Sequence, residues 1–103
     1  MSEPLNIGIA GLGTVGGGLL DLLGTHGGWL GDVAGRPIKV TGVAAKSREE
    51  QKGPVAQAAQ FFSDPVALAE DPSNSVFVEL MGGDGGIAKA SVEAALDAGK
   101  HVV

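Results

Sequence analysis

Apolar residues recur along this chain with two alternating periods. Short runs rich in aliphatic and β-branched side chains occupy Leu5–Ala10, Ile38–Ala45, Gln60–Phe62, Val76–Met81 and His101–Val103. Each reads as a strand, and Ile7 and Ile9 share one face of the first. Gly8 inside that strand predicts a close backbone approach. Between the runs, apolar positions fall at helical spacing. The first helix is predicted from Thr14 to about Leu23, with Val15, Leu19, Leu22 and Leu23 on its apolar face. Gly24 to Gly35 carries too many glycines for one assignment and reads as frayed helix or loop. Glu49 to Gln60 holds a short helix, with Gly53-Pro54 as its start or an interruption. Ser63-Asp64-Pro65 is an N-cap pattern leading into Val66–Glu70. Ile87–Ala98 reads as a clean helix with Ile87, Ala90, Ala94 and Ala95 near one face, Val92 and Leu96 beside it, and Gly99 as its C-cap.

One stretch organises the rest. Gly11-Leu12-Gly13-Thr14-Val15-Gly16 follows the first strand and opens the first helix. With 18 glycines in the chain, a G-x-G-x-x-G string alone says little. Its placement between strand and helix is what points to a dinucleotide. Gly11 lets the chain leave the strand sharply, Gly13 lets a pyrophosphate approach the backbone, and Gly16 lets helix and strand pack closely. The free N–H groups of the first turn and the helix dipole favour the phosphates.

Alternating strand and helix predicts an α/β fold. The expected form is a Rossmann-type doubly wound parallel sheet in the order 3-2-1-4-5, with helices on both faces and the fifth strand truncated. The 103 residues allow one small domain, 1–103. The ligand is expected across the carboxyl ends of strands 1 and 4.

The end of strand 2 bears on the cofactor. An acid there suits the ribose hydroxyls of NAD, and a cation suits the 2′-phosphate of NADP. The chain has Ala45-Lys46-Ser47-Arg48, so NADP is favoured, with NAD as the alternative. Asp32 lies at the rule-of-thumb distance of about 20 residues past the glycines, but strand 2 has not begun there. Met81, Gly82 and Gly83, at the end of strand 4, are expected to face the nicotinamide and its ribose. Glu79 is placed to bond loop amides nearby, with a role at the substrate as the alternative. His26 reads as a surface residue, and Lys100 and His101 as a helix-end cation and the start of a strand rather than an acid–base pair.

Composition excludes several classes. The net charge of −5 without a basic stripe argues against nucleic acid. With no cysteine there is no disulfide, thiolate–zinc site or thiol nucleophile. Met1–Ile7 lacks the pattern of a signal peptide, and no apolar run approaches the roughly 18 residues of a membrane span. A cytoplasmic protein is expected. No paired-carboxylate, metal-ligand or nucleophile–base constellation is present, so neither a catalytic residue nor a metal site is assigned within the chain.

Three blocks resemble the opening of homoserine dehydrogenases: Ile7–Gly18, Val78-Glu79-Leu80-Met81-Gly82-Gly83, and Ala95–Val103. The resemblance implies NAD(P)-dependent interconversion of L-homoserine and L-aspartate 4-semialdehyde in the biosynthesis of threonine and methionine. It implies a homo-oligomer at full length. It also implies an active-site lysine and a substrate and dimerisation domain beyond Val103, which would leave this fragment inactive alone. Two alternatives stay open. One is the cofactor domain of another dehydrogenase, of aspartate or sugar type. The other is a stand-alone nucleotide-binding module without catalysis.

Overall fold

The computed structural model describes residues 3–81 and 86–103. Strand β1 (Leu5–Ala10) leads through the glycine turn into helix α1 (Thr14–Ala34). Then come β2 (Ile38–Ala44), a single 3₁₀ turn at Arg48–Glu50, α2 (Pro54–Ala58), β3 (Gln60–Phe62) and α3 (Pro65–Glu70). β4 (Val76–Glu79), α4 (Gly86–Asp97) and β5 (His101–Val102) complete the order.

The five strands form one parallel sheet in the order β3-β2-β1-β4-β5, as the alternation predicts. The strand centres are mostly apolar because both faces are covered, and polar residues such as Lys39, Gln60 and His101 are exposed. Ile9, Val43 and Val78 turn to the side of α1 and α2, where they meet Leu20 and Ala56. Their neighbours Ala10, Ala44 and Phe77 turn to the other side, against Leu68, Ala69 and Ala95 of α3 and α4. Ile7 joins the face of Ile9. Gly8 and its register partner Gly42 form the floor under Leu68: a Cβ on either would stand 3.1 or 2.6 Å from its Cδ1.

The short helices begin where their caps predict. Asp64 Oδ1 accepts from Val66 N at 2.9 Å, with Pro65 in the first turn of α3. Gly53-Pro54 starts α2 rather than interrupting it. Strand β4 stops two residues before its predicted end. The Glu79 carboxylate bends back to accept the Met81 N–H at 2.6 Å, which takes that group out of the ladder.

Two helical faces differ from expectation. Val15 and Leu22 are exposed, and the buried side of α1 runs through Gly16 and Leu20, flanked by Leu19 and Leu23. On α4 the centre of the buried face is Ser91 with Ala95, while Ile87, Ala90 and Leu96 are exposed. The Ser91 hydroxyl is accommodated there by donating to the Ala88 carbonyl at 2.8 Å.

Helix α1 also runs eleven residues beyond Leu23, through the stretch that the sequence leaves between frayed helix and loop. Two of the glycines that weaken its propensity there are points of close approach. A Cβ on Gly24 would meet Val55 of α2 at 3.3 Å, and one on Gly31 the Arg36 carbonyl at 3.2 Å. The helix ends at Gly35, whose left-handed φ of 75° lets its N–H and that of Arg36 reach the carbonyls of Asp32 and Gly31.

Candidate functional site

The carboxyl edge of the sheet is laced into a shelf. Gly11 N donates to Ala44 O at 2.9 Å, Leu80 N to Ala10 O at 2.8 Å, and Ala45 N to Phe62 O at 3.2 Å. The ends of β1, β2, β3 and β4 are thereby fixed to one another. Gly11 takes a φ of 105°, and its α-carbon lies so near β4 that a Cβ would stand 2.8 Å from the Leu80 carbonyl group. A side-chain-bearing residue would be strained there on both counts.

The turn delivers the N-terminus of α1 to the shelf. Gly13 is its N-cap and no side chain bonds to this end, so the first-turn N–H groups stay available to an anion. Among the described residues, no atom beyond its chain neighbours lies within 4 Å of a Cβ built on Gly13. The open space over it is the room that a close phosphate needs.

A cleft of about 710 Å³ lies over this edge. Its floor is Gly11, Leu12, Gly13, Thr14 and Val15 from the turn. Ala44, Ala45, Lys46 and Glu50 wall one side; Ser63, Pro65, Leu80, Met81 and Ile87 complete it. The predicted residues divide accordingly. Gly11, Leu12, Gly13, Thr14, Val15, Lys46 and Met81 line the cleft, and Val15 is 65% exposed at it rather than buried under the helix. Gly16 lies beneath the turn against Gly11. Ser47 and Arg48 stand outside the lining: the Ser47 hydroxyl accepts from Glu49 N at 3.1 Å, and the Arg48 guanidinium lies 5.1 Å from the Phe61 ring centroid. Gly82 and Gly83 lie outside the described residues.

Glu50 was not among the residues singled out from sequence. It lies six positions past the end of β2, and no motif marks it. Ser63 and Pro65 carry a signal only as part of a helix cap, and Leu80 and Ile87 only as members of apolar runs.

The remaining candidates lie elsewhere. Asp32 is exposed in the last turn of α1, not at the end of β2. His26 is exposed on the same helix. Lys100 precedes β5, at the edge of the sheet opposite the cleft. Its Nζ donates to the Asp71 carbonyl and, at 2.7 Å, to Asn74 Oδ1, so it holds the C-terminus of α3 rather than that of α4. Burial pushes this ammonium below the ordinary lysine value, and the Asp71 charge opposes that shift.

A glycine turn joining β1 to an uncapped helix, under a cleft at the carboxyl edge of a 3-2-1-4-5 parallel sheet, defines a Rossmann-type dinucleotide-binding domain. The model of the family described as homoserine dehydrogenase, NAD binding domain, matches residues 11–103, and the chain belongs to that family. Its membership supports a nicotinamide cofactor. The homoserine dehydrogenase of Neisseria gonorrhoeae is 40% identical over 98% of this chain, and that of Methylobacillus glycogenes 37% over 98%. The crystal structure of a homoserine dehydrogenase from Thiobacillus denitrificans is 34% identical over 96% of the chain, with a TM-score of 0.83. The matched region is 23%, 24% and 22% of those three proteins, so the chain spans about a quarter of their length. Among the described residues, no helix is long and apolar enough to cross a membrane.

Proposed function

We propose that residues 1–103 form the cofactor-binding domain of a homoserine dehydrogenase, interconverting L-homoserine and L-aspartate 4-semialdehyde at full length. The observation that carries the reading is the open space over Gly13 at the uncapped end of α1. In this reading the backbone of Gly11, Leu12, Gly13, Thr14 and Val15 holds the pyrophosphate. Gly16 keeps α1 close beneath it. Lys46 attracts a 2′-phosphate, assisted by Ser47 and Arg48, so that NADP is preferred to NAD. Met81, with Gly82 and Gly83 after it, borders the nicotinamide end. When bound, the nicotinamide supplies the hydride chemistry; this chain supplies position and electrostatics.

The residues that orient L-homoserine and move its hydroxyl proton are assigned to the three quarters of the relatives' length that this chain does not span. Calorimetric titration of the purified chain with NADP and with NAD tests the binding half. Both should bind, NADP more tightly; binding of neither would end the proposal. An assay of reduced nicotinamide with saturating L-homoserine tests the other half. The 103-residue chain should give no turnover, and turnover would place the chemistry inside it.

A further inference from the structure

Glu50 shares the cleft with Lys46, and the two charges are not spent on each other. Among the described residues, the ion pair is Lys89–Glu93, and no hydrogen bond engages the Glu50 carboxylate. Glu50 is half-buried, while its neighbour Glu49 is exposed and outside the lining.

The turn that carries Glu50 is pinned from three sides. Ser47 caps it through Glu49 N. Arg48 lies over the Phe61 ring. Gln51, immediately after, donates through Nε2 to the carbonyls of Ala56 at 2.6 Å and Ala59 at 3.0 Å. Arg48 and Gln51, which flank the Glu49-Glu50 pair, are thus committed to β3 and α2. The carboxylate at the cleft wall is the turn's one acidic group left for a ligand there.

We propose that Glu50 is a specificity-determining residue, set against Lys46 at the adenosine-ribose end of the cleft. The proposal rests on the cofactor reading above. A free ribose carries two hydroxyl donors, which a carboxylate accepts; a 2′-phosphate carries negative charge, which it repels. Lys46 has the opposite preference. Between them the cleft takes both dinucleotides, and Glu50 holds the NADP preference below what the cations alone would set.

The test is titration of the unsubstituted chain, Glu50→Gln, Glu50→Ala and Lys46→Met with NAD and NADP at fixed ionic strength. Loss of the Glu50 charge should tighten NADP, weaken NAD, and move the ratio toward NADP by about tenfold. Lys46→Met should move it the other way. Near-ultraviolet circular dichroism confirms the fold of each variant. An unchanged ratio in both Glu50 variants, or an equal loss for the two dinucleotides, overturns the inference while leaving the cofactor reading standing. Binding of neither dinucleotide by the unsubstituted chain overturns the cofactor reading and this inference with it.

Discussion

Gly16 lies so close under the glycine turn that a Cβ on it would stand 1.8 Å from the carbonyl oxygen of Gly11. The obstructing atom is backbone, so no side-chain rotation relieves the contact. Gly16→Ala must therefore push α1 away from β1 or distort the turn. Overpacking of this kind typically costs about 1–3 kcal/mol, and this contact belongs at the upper end. The expected result is a clearly lowered unfolding midpoint with dinucleotide binding lost as well. A Gly16→Ala chain of unchanged stability would show that α1 does not pack here as described.

Gly13 predicts a different failure from the same motif. Among the described residues, a Cβ on it meets no atom beyond its chain neighbours within 4 Å, so Gly13→Val adds bulk to the cleft and not to the core. The fold should persist, with a loss of about 1 kcal/mol for a poor N-cap residue. Binding should fall below detection, because the branched side chain stands where the pyrophosphate must approach. Titration showing unchanged affinity would remove the phosphate from this turn. The two variants together separate structural from ligand-facing glycines within one six-residue string.

The sheet was legible because its signals are local. Asp64-Pro65 caps α3 within two residues of itself, and the glycine turn sits between two unmistakable periods. The buried faces were less legible where the packing residue is not apolar. Gly16 centres the buried side of α1 and contributes nothing to a hydrophobic pattern, so Val15 and Leu22 drew the face to themselves. Ser91 did the same on α4: it is 0% exposed, yet it reads as polar. Glu50 was illegible for another reason. Its position in the cleft follows from Arg48 on Phe61 and from Gln51 on Ala56 and Ala59, and such side-chain contacts carry no spacing rule.

Lys100 gives a stability prediction with a pH signature. Lys100→Met leaves Asn74 Oδ1 without its donor and the Asp71 carbonyl with the long 3.5 Å bond from Asn74 N, which should cost about 1–3 kcal/mol at neutral pH. The native lysine titrates below its ordinary value of 10.5, because burial disfavours the charged form. Well below the folded-state pKa, both states carry the proton and the penalty on the charge is complete. As pH rises from the folded-state pKa to 10.5, the unfolded chain holds more protons than the folded one, and this group's contribution to stability increases. The gap between native and Lys100→Met chains should therefore widen in that alkaline window. Urea unfolding at neutral and alkaline pH measures it, and a gap that narrows would contradict the assignment.

The far half of α1 offers a test of helix where the sequence reads as frayed helix or loop. Gly28 is exposed, lies inside the helix, and among the described residues a Cβ built on it meets nothing within 4 Å beyond its neighbours and the helix's own backbone. It therefore lacks the packing reason that Gly24 and Gly31 have, while still incurring the entropic cost of glycine in a helix. Gly28→Ala removes that cost, and in a true helix it should stabilise the chain by about 0.5–1 kcal/mol. Gly24→Ala and Gly31→Ala should gain less or lose, because Val55 or the Arg36 carbonyl would have to yield. Thermal unfolding of the three variants reads the order directly. If Gly28→Ala were neutral or destabilising while the others behaved alike, Gly24–Ala34 would be a loop in solution, and the helix would end near Leu23.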